Sequence, residues 1–245
     1  MSDGAERPAL RLAFRCPPEL ADLLPPPVAA AKALPGWLRA MPATAPDAET
    51  GNPVRTLKHC PPLIDALGLG YLILLPVDVR VERGPAFSWD WSPPATGLEG
   101  LSRSPLSFHV AAQGQGAPFA RPERRFLKFQ NFWTIATDPG VSILVTHPLN
   151  RPDLPFDTLA GVVDTDRYGD GLIHFPAIWR DDGFKGVLPR GTPVAQIVPF
   201  RREPLDATIG TLTPDQAQAT DRLRQALDQE TGIYRRHHRA DRRGG

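Results

Sequence analysis

Asp164, Asp166 and Asp170 stand together in one short turn between two apolar stretches. Clustered carboxylates of this kind can hold Mg²⁺ through oxygen ligands. The same residues can equally serve the fold alone, closing Asx turns onto their own backbone. Asn150 and Arg151 form a second candidate group, in a loop stiffened by Pro148, Pro152 and Pro155. A guanidinium is a planar fork suited to phosphate or carboxylate, and it can also pin a Pro-rich loop through backbone carbonyls. A jelly-roll Fe(II) site would need two His and one carboxylate around an open position. His147 and Asp153 lack the His-x-Asp spacing, and His174, on an expected strand, has no evident companion. Cys60 follows Lys58-His59, cations that would favour a thiolate, although a free Cys is often a small buried hydrophobe. A nucleophile elbow, a P-loop and a dinucleotide fingerprint are all missing from the sequence.

These groups must be positioned by short elements. Among 245 residues, 29 Pro and 21 Gly make up about a fifth of the chain, which argues against long helices. Lys plus Arg number 28 against 27 Asp plus Glu, so no global field recruits nucleic acid or an acidic membrane surface. Two Cys cannot frame a disulfide scaffold, and no apolar run is long enough to span a bilayer. A cytoplasmic protein is the expectation.

Residues 1–60 read as an irregular Pro-rich arm that wraps the body, with a short helix at Val28–Leu34 and an anchor at Trp37 and Leu38. Residues 61–205 read as a β body. Its expected strands include Tyr71–Glu82, Phe87–Trp91, Phe126–Thr137, Ser142–His147, Leu159–Asp166, Gly171–Trp179 and Pro193–Phe200. Residues 206–232 hold one helix, capped by Thr213 with Pro214 at its first position. A basic, mobile tail, 233–245, follows. Closely spaced short strands imply a mainly β sandwich, barrel or jelly roll.

One segment carries a resemblance. Gly161-Val162-Val163-Asp164-Thr165-Asp166, completed by Gly169-Asp170, and Gly191-Thr192-Pro193-Val194-Ala195-Gln196-Ile197 resemble two motifs of the dUTPase and dCTP deaminase family, in the family's order. The resemblance implies a β-clip body, a trimer and a phosphorylated small ligand. It casts Asp164 as the carboxylate that positions the attacking water; Asp166, Tyr168 and Gln196 lie in or beside its motifs as ligand-binding candidates, and Asn150 and Arg151 join them on their own chemistry. Arg167 falls where the family places its sugar-stacking aromatic, and Tyr168 lies one position along. The family's Arg-Ser phosphate loop and Gly/Ser-rich C-terminal lid have no counterpart. The strings KHCPPLIDALGLGYLILLPVDV, FLKFQNFWTIAT and HPLNRPDLPF are similar to bacterial and phage proteins without an assigned activity, which implies that the chain is one evolutionary unit.

Two functions therefore stand against each other. One is a nucleotide-binding or phosphorylated-ligand protein, without efficient dUTP hydrolysis because Arg167 replaces the aromatic. The other is a non-catalytic structural or interaction module on the same scaffold. An Fe(II) oxygenase is a third class.

Overall fold

Leu72 and Ile73 are both buried, whereas Val79 and Val81 are buried with exposed Arg80 and Glu82 alternating between them. The apolar run and the alternating run are separate strands, parted at Pro76, because proline has no N–H to give a ladder. The computed structural model describes residues 9–82, 86–98, 100–119 and 126–240.

In chain order the strands are β1 (Leu12–Arg15), β2 (Val28–Ala29), β3 (Thr44–Pro46), β4 (Pro53–Arg55), β5 (Tyr71–Leu74), β6 (Val79–Glu82), β7 (Ala86–Ser88) and β8 (Leu106–Phe108). They continue as β9 (Phe126–Phe129), β10 (Thr134–Thr137), β11 (Val141–Thr146), β12 (Phe156–Thr158), β13 (Gly161–Val163), β14 (Phe175–Trp179), β15 (Gly186–Leu188) and β16 (Pro193–Arg201). The helices are α1 (Gly36–Ala40), α2 (Pro61–Leu67) and α3 (Pro214–Gln229).

Every ladder among the described residues is antiparallel. The largest sheet runs β13-β11-β16-β5-β2, beside a four-stranded sheet β12-β14-β9-β8, a three-stranded sheet β15-β6-β7 and the ribbons β1-β10 and β3-β4. The protein is thus mainly β, and no barrel closes among the described residues. The two segments that carry the resemblance are β13 and β16, and both pair with β11.

The sheets share one core. Trp179, Phe129, Phe156 and Phe175 are fully buried there, with Phe129 and Phe156 centroids 4.7 Å apart. Each such ring contributes roughly 1.5–3 kcal/mol by leaving water.

Residues 9–60 are less irregular than their proline content predicts. β1 pairs with β10, and β2 extends the large sheet beside β5, so the expected Val28–Leu34 helix begins as a strand and keeps only a 3₁₀ turn at Ala30–Lys32. The Ala30 N–H donates to the Gly70 carbonyl at 2.9 Å, holding that entry extended. Gly70 has φ +66°, and a Cβ there would lie 2.0 Å from the Ile197 carbonyl oxygen, so only glycine lets the chain cross β16 so closely. Leu20 and Leu24 form a smaller cluster with Phe132. Trp37 is half-buried beside buried Leu38, and its indole N–H is enclosed without a hydrogen-bond partner.

The chain divides into two units, Met1–Arg202 and Glu203–Gly245. In the second, α3 starts as its sequence predicts. Thr213 Oγ1 accepts the Gln216 N–H at 3.3 Å, and Gln216 Oε1 accepts the Thr213 N–H at 2.8 Å. Tyr234–His238 of the basic tail forms a π turn; residues 241–245 lie outside the described residues. Among the described residues no helix is long and apolar enough to cross a membrane.

Candidate functional site

β13 ends at Val163, and the chain turns back across the start of β11. This places Asp164 beside Ser142 and brings both Asp164 and Asp166 to Arg202, the residue after β16. Ser142 Oγ donates to Asp164 Oδ1 at 2.6 Å and accepts from Arg202 Nη1 at 2.8 Å. Arg202 Nη1 also reaches Asp164 Oδ1 at 3.3 Å and Asp166 Oδ1 at 2.9 Å, while Nη2 donates to Asp166 Oδ2. The Gly140 N–H completes the shell of Asp166 Oδ2 at 2.8 Å.

Asp166 is consequently held as a carboxylate. Its hydrogen bonds to Arg202, then to the Gly140 N–H, lower its pKa from 3.8 to about 2. The Arg202 guanidinium is held more firmly protonated by the same partner. The turn itself is also closed on the backbone: the Asp164 carbonyl accepts the N–H groups of Arg167 and Tyr168 at 3.0 and 2.9 Å. The Thr165 hydroxyl, buried, bonds that of Thr137 at 2.8 Å.

This arrangement does not fit Mg²⁺. The guanidinium of Arg202 bonds both carboxylates that would share the ion and occupies both oxygens of Asp166. Asp170 is exposed and takes no part. Among the described residues no group of three His, Cys, Asp or Glu side chains could hold a metal.

Tyr168 is 52% exposed, and its ring lies over Gly171, where a Cβ would come within 2.2 Å of it. The ring's inner face is thus covered by the turn that follows.

The second candidate group lies at the other end of β11. Ser142 and Thr146 are four residues apart, or roughly 13 Å along an extended strand, and the loop with Asn150 and Arg151 begins beyond Thr146. Asp164 and Arg151 are therefore not brought together. Asn150 adopts φ 54°, a left-handed conformation that Asn tolerates. Arg151 makes a bidentate pair with Asp153, Nε to Oδ1 and Nη2 to Oδ2, both 2.8 Å. That pair holds the Asp153 pKa below its ordinary value.

The loop is knitted further from within. His147 Nε2 lies 3.1 Å from the Arg151 carbonyl, and its Nδ1 accepts the Thr158 N–H at 3.3 Å, a pattern that fits a neutral Nε2–H imidazole. Burial lowers the His147 pKa. Arg180 Nη2 donates to the Pro152 and Leu154 carbonyls at 2.8 and 2.6 Å. His174 Nδ1 accepts the Asn131 N–H at 3.2 Å, and burial lowers its pKa too.

Gln196 is buried on β16, opposite Thr146. Its Oε1 accepts the Leu149 N–H at 2.8 Å, and its Nε2 donates to the Leu69 and Ala66 carbonyls at 2.6 and 3.1 Å. One amide thus ties the loop after β11 to the end of α2, with no donor left over.

Two residues that organise these groups, Arg202 and Arg180, are absent from a reading of motifs alone. Arg202 follows the last strand in an Arg-Arg pair, and only the register of β16 against β11 brings it to Asp166.

A different part of the surface is concave. The outer face of β15-β6-β7 borders a groove of about 840 Å³ lined by Arg80, Lys185, Arg190, Asp78, Glu82 and Trp89, among others. Arg80 lies between Val187 and Ser88 on neighbouring strands. Among the described residues neither Arg80 nor Lys185 has an ion-pair partner.

No family model, curated protein or solved structure matches this chain, so the groups are read from their own geometry.

Proposed function

We propose that the protein is a non-catalytic interaction module: a β body of β-clip or jelly-roll type that retains the dUTPase-like scaffold and uses its polar groups to hold the fold. One observation carries this reading. The side chains of Asp164, Asp166, Arg151 and Gln196 are each bonded to neighbouring protein groups: Arg202 holds both carboxylates of the turn, and Asp153 holds Arg151. A phosphate entering beside Asp164 would have to draw Arg202 away from two carboxylates. Such a module works in the cytoplasm as a homo-oligomer.

The groove beside Arg80 supports a second reading, in which the body binds a small phosphorylated ligand away from Asp164. Arg80, Lys185 and Arg190 would attract an anion, although Asp78, Glu82 and Asp90 line the same groove.

A thermal-shift series with dUTP, dCTP, UTP and inorganic pyrophosphate, each with and without Mg²⁺, separates the two. A ligand that binds only the folded state raises apparent stability. No shift with any of them fits the module. A shift lost in Arg80→Gln but kept in Asp164→Asn fits the groove.

A further inference from the structure

The segment after Arg202 forms a unit of its own, and several of its large apolar residues are exposed. Leu205 and Ile209 are 98% and 99% exposed, and Leu212, Leu223 and Leu227 are also exposed. A single exposed leucine is ordinary; several in one short segment mark a surface made to be covered. None of the side chains of α3 is buried. In proteins a helix such as α3, with 16 residues, draws most of its stability from packing an apolar face. Ala219, Leu223, Ala226 and Leu227 recur at helical spacing and lie along one face of α3.

The charges say what would cover that face. Residues 203–221 carry Glu203, Asp206, Asp215 and Asp221 with no Lys or Arg. Residues 222–240 carry Arg222, Arg224, Arg235, Arg236 and Arg239 against Asp228 and Glu230. The pairs inside the helix, Arg224 with Asp221 at 3.6 Å and with Asp228 at 3.7 Å, are exposed and hold little energy. An antiparallel pairing of two such segments lays the acidic half of each on the basic half of the other. A parallel pairing lays like charge on like. A two-fold axis makes the favourable contact twice, which is the geometry of an isologous dimer.

We propose that the apolar face of α3 is covered by α3 of a second copy of this chain, packed antiparallel, with Leu223 and Leu227 of both copies at the centre. This rests on the interaction-module reading and names its partner.

The test is the mass of the full chain in solution, by sedimentation velocity over a range of concentrations. The expected result is a dimer that Leu223→Asp with Leu227→Asp converts to monomer, while near-ultraviolet dichroism of the β body is unchanged. Asp215→Arg with Asp221→Arg should weaken the dimer by about tenfold or more. Adding Arg222→Asp and Arg235→Asp to that variant should restore association. A chain that is monomeric throughout overturns the proposal, as does a dimer indifferent to Leu223 and Leu227, or one weakened further by the compensating reversals. A monomer that also fails to turn over nucleotide overturns the pairing alone. A dimer that hydrolyses nucleotide overturns the non-catalytic reading alone.

Discussion

Arg202 donates to both carboxylate oxygens of Asp166, from Nη1 and Nη2, and through Nη1 it also holds Asp164. The turn after β13 is thereby fixed to the end of β16 across β11. The acidic turn with its own counter-cation is a clasp between strands, and several measurable properties follow from it and from the clamp at Gln196.

Acid should loosen the clasp. The folded pKa of Asp166 lies near 2, below its ordinary 3.8, so its contribution is fully present above about pH 4 and is lost as pH falls through about 2. The urea midpoint of the wild type should decline across that window, and Asp166→Asn should flatten the decline. Asp153, lowered by Arg151, adds to the same slope and remains in the variant.

Two half-buried histidines act at higher pH. His147 and His174 both have pKa values lowered from 6.5, chiefly by burial. The unfolded chain therefore takes up protons first, and stability falls as pH drops below about 6.5 toward the folded values. Imidazole NMR titration should show both rings protonating below 6.5. His147→Gln should reduce the change in urea midpoint between pH 7 and pH 5.

Gln196→Ala should cost about 2–4 kcal/mol in denaturant unfolding, because it strands the Leu149 N–H and the Ala66 and Leu69 carbonyls around a buried void. Gln196→Glu should cost more: a carboxylate cannot donate to two carbonyls, and its charge would be buried.

Gly70→Ala should be among the most damaging single substitutions, costing about 3 kcal/mol or more. The left-handed φ and the backbone clash with Ile197 act together, and neither can be relieved by turning a side chain. Gly51→Ala, also at positive φ but with open space around its Cβ, provides the comparison and should cost less.

Much of the β body was legible from local pattern. Ser142–His147 and Pro193–Phe200 read as strands bounded by turn residues, and Val141–Thr146 and Pro193–Arg201 are central strands because nothing in them opposes pairing. Thr213 and Pro214 likewise start α3. The strands at Leu12–Arg15 and Val28–Ala29 were hidden because they are short and lie among prolines, and their ladders come from partners far along the chain. The candidate site was readable only as residue types. That Asp164 meets Ser142 and Arg202, whereas Arg151 turns to Asp153, depends on strand register and on which end of β11 each loop leaves. Gln196 offered no sign of its role, since a polar residue in an apolar strand reads equally as a ligand group or a buried clamp.

The most direct measurement is pyrophosphate release from dUTP, dCTP and UTP in Mg²⁺ by the wild type and by Asp164→Asn, with the urea midpoint of each. A structural clasp predicts no enzymatic release by either protein and a lower midpoint for Asp164→Asn. Fast release from dUTP by the wild type, lost in an Asp164→Asn protein of unchanged stability, would contradict it.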